Sequence, residues 1–228
     1  MRRQRKGLVQ YESRYLNWMS FANAGMFHAG HRHLIDTAVK GLPKSDPVLE
    51  IGSLCGLTTN VLTYFLETHD RPNILFSTDP WELEGEGGET LPDSSIPFSD
   101  YRKLVREQFE RNVRFWSGNR LPHAFPLASD DFFAAWRAGK TATDVFGRET
   151  SLGGPLAFCF VDGAHERGQV ERDLRHADEF LVPGGFVLFD DSDEFGAFPH
   201  IHDVVQATIR GGRYELVAAN PHHLLRKR

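Results

Sequence analysis

Two apolar runs that each end on an acid constrain this chain more than any other feature. Pro-Val-Leu-Glu-Ile-Gly-Ser-Leu-Cys-Gly occupies 47–56, and Phe-Cys-Phe-Val-Asp-Gly-Ala-His closes at His165. The first reads as a buried strand ending on an acid, then a glycine turn, then a helix starting near Leu57. Gly52 and Gly56 allow a ligand to approach the backbone closely, and the helix N-terminus behind them suits a polar ligand. The second run puts Asp162 and His165 just past another buried strand. In an open α/β sheet, ligands bind outside the carboxyl ends of the strands. Both runs therefore aim their chemistry at one rim, as an enzyme's would.

The rest of the chain alternates in the same way. Residues 8–40 read as helical, broken near Gly25 and Gly30, and 1–44 form an N-terminal helical segment or flap. Strands are expected at 48–51, 74–78, 123–127, 156–161 and 186–189. Helices are expected at 58–67, 101–116, 130–138, 167–180 and 201–209, with Ser129 or Asp130 capping the third of them. Residues 82–99 and 140–155 read as long loops, and 214–218 with 223–225 as a closing hairpin around Asn220-Pro221. Strand–helix alternation predicts a mostly parallel sheet with helices on both faces, and the hairpin makes its last strand antiparallel.

At 228 residues, the chain suits a single domain, 1–228, with 45–228 as its core. A net charge of -5 gives no reason to expect nucleic acid as a partner, and Arg2–Lys6 and Arg226–Arg228 read as solvated basic ends. No apolar run approaches the ~18 residues of a membrane span, so no membrane partner is expected. No apolar stretch follows the basic N-terminus, which argues against a secretory signal. Cys55 and Cys159 both lie inside apolar runs, the pattern of buried thiols in a reducing cytoplasm.

The motif order resembles class I S-adenosylmethionine-dependent methyltransferases, and within them the metal-dependent small-molecule O-methyltransferases of the catechol and macrolide-sugar type. The resemblance covers roughly residues 45–228 and implies a Rossmann-like, doubly wound fold. It implies that Glu50, Gly52 and Gly56 belong to the motif facing the methionine end of the cofactor. Asp79 matches the acid that holds the ribose hydroxyls, and Ser129-Asp130 the position at the adenine edge. Asp162, on the cofactor side as well, then Asp190 and Asp191, match the metal-binding acids, and His165 falls where the family places its general base. Asp191 stands where the catechol-type branch commonly has Asn, which shifts the resemblance towards the sugar-modifying branch.

Chemistry supports these placements. Three carboxylates at one rim repel unless a cation neutralises them, and all-oxygen ligation suits Mg²⁺ or Mn²⁺. A dinucleotide oxidoreductase would need Gly-x-Gly-x-x-Gly, but the residue two after Gly52 is Leu54. His28, His31 and His33 do not share one helical face and read as a flap or solvated turn rather than a ligand set. Trp81 fits a wall of the adenosine pocket or the core equally well. The expected reaction is transfer of the methyl of S-adenosylmethionine to a hydroxyl of a small molecule, a sugar or a phenol. Metal-independent transfer to nitrogen or carbon, or a silent cofactor-binding domain, are the alternatives. The N-terminal segment is the expected surface for any homo-oligomer.

Overall fold

The computed structural model describes residues 8–43, 45–82 and 89–228. The basic stretch Arg2–Lys6 and residues 83–88 of the first long loop lie outside the described residues. A seven-stranded sheet forms the centre. It contains β1 (Val48–Ile51), β2 (Leu75–Thr78), β3 (His123–Phe125), β6 (Leu156–Val161), β7 (Leu181–Phe189), β8 (Tyr214–Ala219) and β9 (His223–Lys227). Their order across the sheet is β3-β2-β1-β6-β7-β9-β8. β1 pairs in parallel with both β2 and β6, and β9 runs antiparallel to β7 and β8. The expected mostly parallel sheet with an antiparallel closing hairpin is therefore present.

Every residue of β6 is buried, as a central parallel strand covered on both faces requires. Phe158 and Phe160 point to one face, where they pack with Leu16 and Met19 of α1 (Arg14–Ala22), Leu34 and Ile35 of α2 (His31–Lys40) and Phe65 of α3 (Leu57–Thr68). Cys159 and Val161 point to the other face. There they meet Phe132 and Trp136 of α5 (Ser129–Arg137), Val170 of α6 (Arg167–Phe180) and Val204 of α7 (Pro199–Arg210). The period of two along the strand thus divides the core into two layers. A third cluster joins Val105, Phe109 and Val113 of α4 (Phe98–Trp116) to Trp81 and Cys55.

Several elements differ from the sequence-based expectation. The second long loop contains a short hairpin, β4 (Thr141–Thr143) with β5 (Glu149–Ser151), whose half-exposed residues give no core periodicity. β7 begins at Leu181 and runs through Pro183-Gly184-Gly185, where the pairing to β6 shifts register. α4 starts at Phe98, inside the expected loop. Ala128, not Ser129 or Asp130, takes the N-cap position of α5.

From β1 the chain winds outwards to β2 and β3, then returns to place β6 on the other side of β1. The topological switch therefore lies between the ends of β1 and β6, and a ligand crevice belongs there.

Candidate active site

A cavity of ≈ 950 Å³ opens at this switch point. Its walls include Gly52, Ser53, Asp79, Ser129, Asp162 and His165. Among the described residues, three of the five non-glycine positions with positive φ, Leu54, Trp81 and Asp191, follow the strands whose ends form the rim. Backbone strain of this kind persists where a site holds it in place.

On the β1–β2 side the groups are tightly tied to one another. Asp79 Oδ2 accepts the backbone N–H groups of Ser53 and Leu54, both at 2.8 Å, and its Oδ1 accepts Trp81 N–H at 2.6 Å. The acid that ends β2 thereby fixes the turn that follows β1. Trp81 is buried in the core and is not a cavity wall; its Nε1 donates to Leu54 O and its ring packs on Phe109. The glycines serve packing more than ligand approach. A Cβ on Gly52 would sit 1.8 Å from Asp162 O, and one on Gly56 2.7 Å from Val113 Cγ2, both at φ +83. Gly52 lines the cavity; Gly56 faces α4.

Glu50 lies beneath the turn, wholly buried and outside the cavity wall. Its Oε2 accepts the hydroxyls of Thr59 (2.6 Å) and Ser77 (2.8 Å), while Oε1 is buried without a partner. Burial pushes its carboxyl up to about 8, and the charge of Asp79 adds to this against the two hydroxyl bonds. Ser129 and Asp130 reach the cavity, but their side chains are engaged elsewhere. Ser129 Oγ donates to the buried Asp173 at 2.5 Å, and the Asp130 carboxylate bonds His176 and Arg172 at the surface.

The β6–β7 side is assembled differently. Asp162 follows β6, and Asp190 and Asp191 follow β7. Burial, then the neighbouring charge of Asp190, raises the Asp162 carboxyl well above the usual range. Burial also opposes ionisation of Asp190, but hydrogen bonds from His222 and His31 outweigh it and hold that carboxyl below the usual range. Asp191 turns away, its Oδ2 3.0 Å from His165 Nε2. The His165 ring stacks on Phe198, with centroids 4.2 Å apart and planes at 11°.

The three acids expected to hold a metal are therefore on one rim but do not form one donor set. Among the described residues, the group whose ligand atoms converge is His31, Asp190 and His222, all buried. Only Asp190 was legible as a ligand. His31 and His222 are 191 residues apart, and spacing along one helix carries no trace of such a pairing. The signal available was the position of His222 beside the Asn220-Pro221 turn, at the same sheet rim as Asp190.

Residues 49–192 match the family model described as a methyltransferase domain, and the chain belongs to that family. No curated protein matches at the sequence level. Among solved structures, the O-methyltransferase TomG of Streptomyces achromogenes, involved in tomaymycin synthesis and bound to S-adenosylmethionine, is similar at 15% identity. The match covers 96% of this chain and 92% of that one, with a TM-score of 0.55. The O-methyltransferase NovP shares 18% identity over 88% and 81% of the two chains, TM-score 0.53. The methyltransferase PaMTH1 of Podospora anserina, bound to S-adenosylhomocysteine, shares 12% over 94% and 86%, TM-score 0.54. At these identities the likeness is one of fold.

Proposed function

We propose that this methyltransferase-domain protein acts as one domain and moves the methyl group of S-adenosylmethionine to a hydroxyl of a small molecule, a sugar or a phenol of natural-product type. The observation that carries this reading is the shared cavity. It has the turn at 52–54 and Asp79 on one wall and a carboxylate-held imidazole, His165, on the other. The cofactor supplies a methyl activated on a sulfonium, so the protein must align an oxygen and remove its proton.

The residues present fit such a cofactor. The cavity lies at the switch point and is large enough for a nucleoside-sized ligand. Asp79 stands where ribose hydroxyls would donate to it, and Ser129 where an adenine edge would lie. Glu50, with Oε1 buried and unpartnered, is the acid behind the methionine end. On the acceptor side, the His165 imidazole is the base, with Nε2 3.0 Å from Asp191 Oδ2. Stacking on Phe198 fixes the ring plane, and the imidazole takes the proton of the acceptor hydroxyl.

The residues do not fit a hard Mg²⁺ cage of Asp162, Asp190 and Asp191. Asp191 is committed to His165, and Asp190 Oδ1 to two imidazoles. No step is assigned to Mg²⁺. TomG, a fold neighbour involved in tomaymycin synthesis, supports a natural-product acceptor. Among the described residues no helix is long and apolar enough to cross a membrane, and Cys55 and Cys159 are buried free thiols; both agree with the cytoplasmic setting that we propose. Trp18 and Phe21 lie exposed on α1, which supports association of copies through the N-terminal segment.

The test is turnover with S-adenosylmethionine and a panel of sugar and phenol acceptors, read as formation of S-adenosylhomocysteine. Methylation of a hydroxyl supports the reading. Methylation only of amines or carbon acids would replace it with methyl transfer to nitrogen or carbon.

A further inference from the structure

We propose that His31, Asp190 and His222 bind a divalent first-row transition-metal ion at the inner wall of the cavity. This rests on the cluster alone and holds whichever acceptor is methylated. His222 Nδ1 lies 2.5 Å from Asp190 Oδ1, His31 Nε2 lies 3.2 Å from the same oxygen, and the two ring nitrogens are 2.5 Å apart. Two donors at right angles on a metal with ~2.1 Å bonds are about 3 Å apart. The His31–Asp190 separation already matches this, and the other two need to open by about half an ångström to share an ion.

Hydrogen bonding alone serves this arrangement poorly. If both imidazoles donate to Asp190, their N–H groups crowd each other. If one donates to the other, the single proton on the two facing nitrogens is spent between the rings and none is left for the carboxylate. An ion at the common point replaces both protons and accepts all three lone pairs.

The surrounding chain builds the convergence deliberately from distant parts of the sequence. The Asn220 side chain accepts Val9 N–H and donates to Val9 O and Gly30 O, which clamps the N-terminal segment to the closing hairpin. A Cβ on Gly30 would meet Asn220 O at 1.8 Å, so this approach requires glycine. Phe27 and Phe160 set their rings edge-to-face on His31 and fix its orientation. Ser192, two residues after Asp190, accepts His223 N–H next to His222.

The donor set decides the ion class. Two imidazoles and one carboxylate suit Zn²⁺, Fe²⁺, Co²⁺ or Ni²⁺, whereas Mg²⁺ takes oxygen ligands and keeps its waters. Asp190 and His222 also line the cavity, so coordination positions not filled by protein face the space where an acceptor enters.

The experiment uses the full chain, stripped with chelator and reloaded with Zn²⁺ or Co²⁺ in the presence of excess Mg²⁺. The expected result is about one equivalent of Zn²⁺ retained through gel filtration, and Co²⁺ d–d bands of a protein-bound ion. His31→Gln and His222→Ala should each weaken Zn²⁺ by more than the ~10–100-fold typical of outer-shell partners, while His33→Ala, on the same helix, keeps full affinity. Retention of less than about half an equivalent by wild type, or displacement by Mg²⁺, overturns the proposal. So does affinity undiminished in folded His222→Ala. Should the ligand variants fail to fold, the wild-type uptake and Co²⁺ spectrum still decide. S-adenosylhomocysteine titrated into the same metal-free sample scores the methyltransferase reading separately.

Discussion

At the end of β2 the Asp79 carboxylate accepts three backbone N–H groups, whereas at the end of β6 Asp162 faces the carboxylate of Asp190. The first side of the rim is made from residues within about thirty positions of one another and holds its acid with three backbone amides. The second gathers residues from the N-terminal segment, two strand ends and the closing hairpin, and leaves titratable groups pressed together. A fixed scaffold for the cofactor and a poised set of groups for proton transfer are different physical demands. The two sides meet them separately.

The difference can be broken most sharply at His165. If it takes the proton, His165→Gln should keep the fold and most binding while slowing single-turnover methyl transfer by ~10²–10⁴-fold. The ascending limb of the pH–rate profile should also vanish. A rate within about threefold of wild type would make this residue a structural one.

On the opposite side, Asp79→Ala should weaken cofactor binding by roughly 2–4 kcal/mol, because charged hydrogen bonds are lost and the turn amides are left unpaired. Unchanged affinity in a folded variant, by calorimetry, removes Asp79 from the site. Gly52→Ala should destabilise the fold by at least about 2 kcal/mol, since the methyl meets the Asp162 carbonyl at a positive φ. Urea unfolding with an unchanged midpoint would show that the turn is looser than described.

Much of the first side was legible because its signals are local. An acid at a strand end, a glycine turn and a helix start follow one another in sequence, and the order of strands and helices gave the sheet. What stayed hidden was how those residues are used. Gly56 reads as a ligand cradle until α4 is seen packed against it, and Trp81 as a pocket wall until its indole is seen bonded to Leu54. The second side could be read only where it followed a strand, at Asp162, Asp190 and Asp191. The partnership of His31 with His222 depends on the clamp of Asn220 on Val9 and Gly30, a contact between the two ends of the chain. The β4–β5 hairpin escaped for another reason: three-residue strands with one partly buried position each are too short to show a hydrophobic period.

A smaller effect sharpens the comparison at the buried acid between the two sides. Glu50 has a folded-state pKa raised to about 8 by burial, above its unfolded value of about 4.5. The folded protein then binds more protons than the unfolded chain between these values. Stability from this group is complete below about pH 4.5 and is lost as pH rises through about 8. Glu50→Gln should remove a slope of up to about 1.4 kcal/mol per pH unit from that window. Gln can still accept the Thr59 and Ser77 hydroxyls. Identical wild-type and variant slopes in denaturant titrations across pH 5–8 would mean that Glu50 is ionised in the folded state.

A methyl-donor cofactor at the β1–β6 switch point would be seen by hydrogen–deuterium exchange with and without S-adenosylhomocysteine. Slowed exchange is expected over 51–58, at 78–82 and around Ser129, with little change in β8 or the exposed face of α1. Absence of protection anywhere at saturating ligand, or protection confined to segments away from these strand ends, would contradict it.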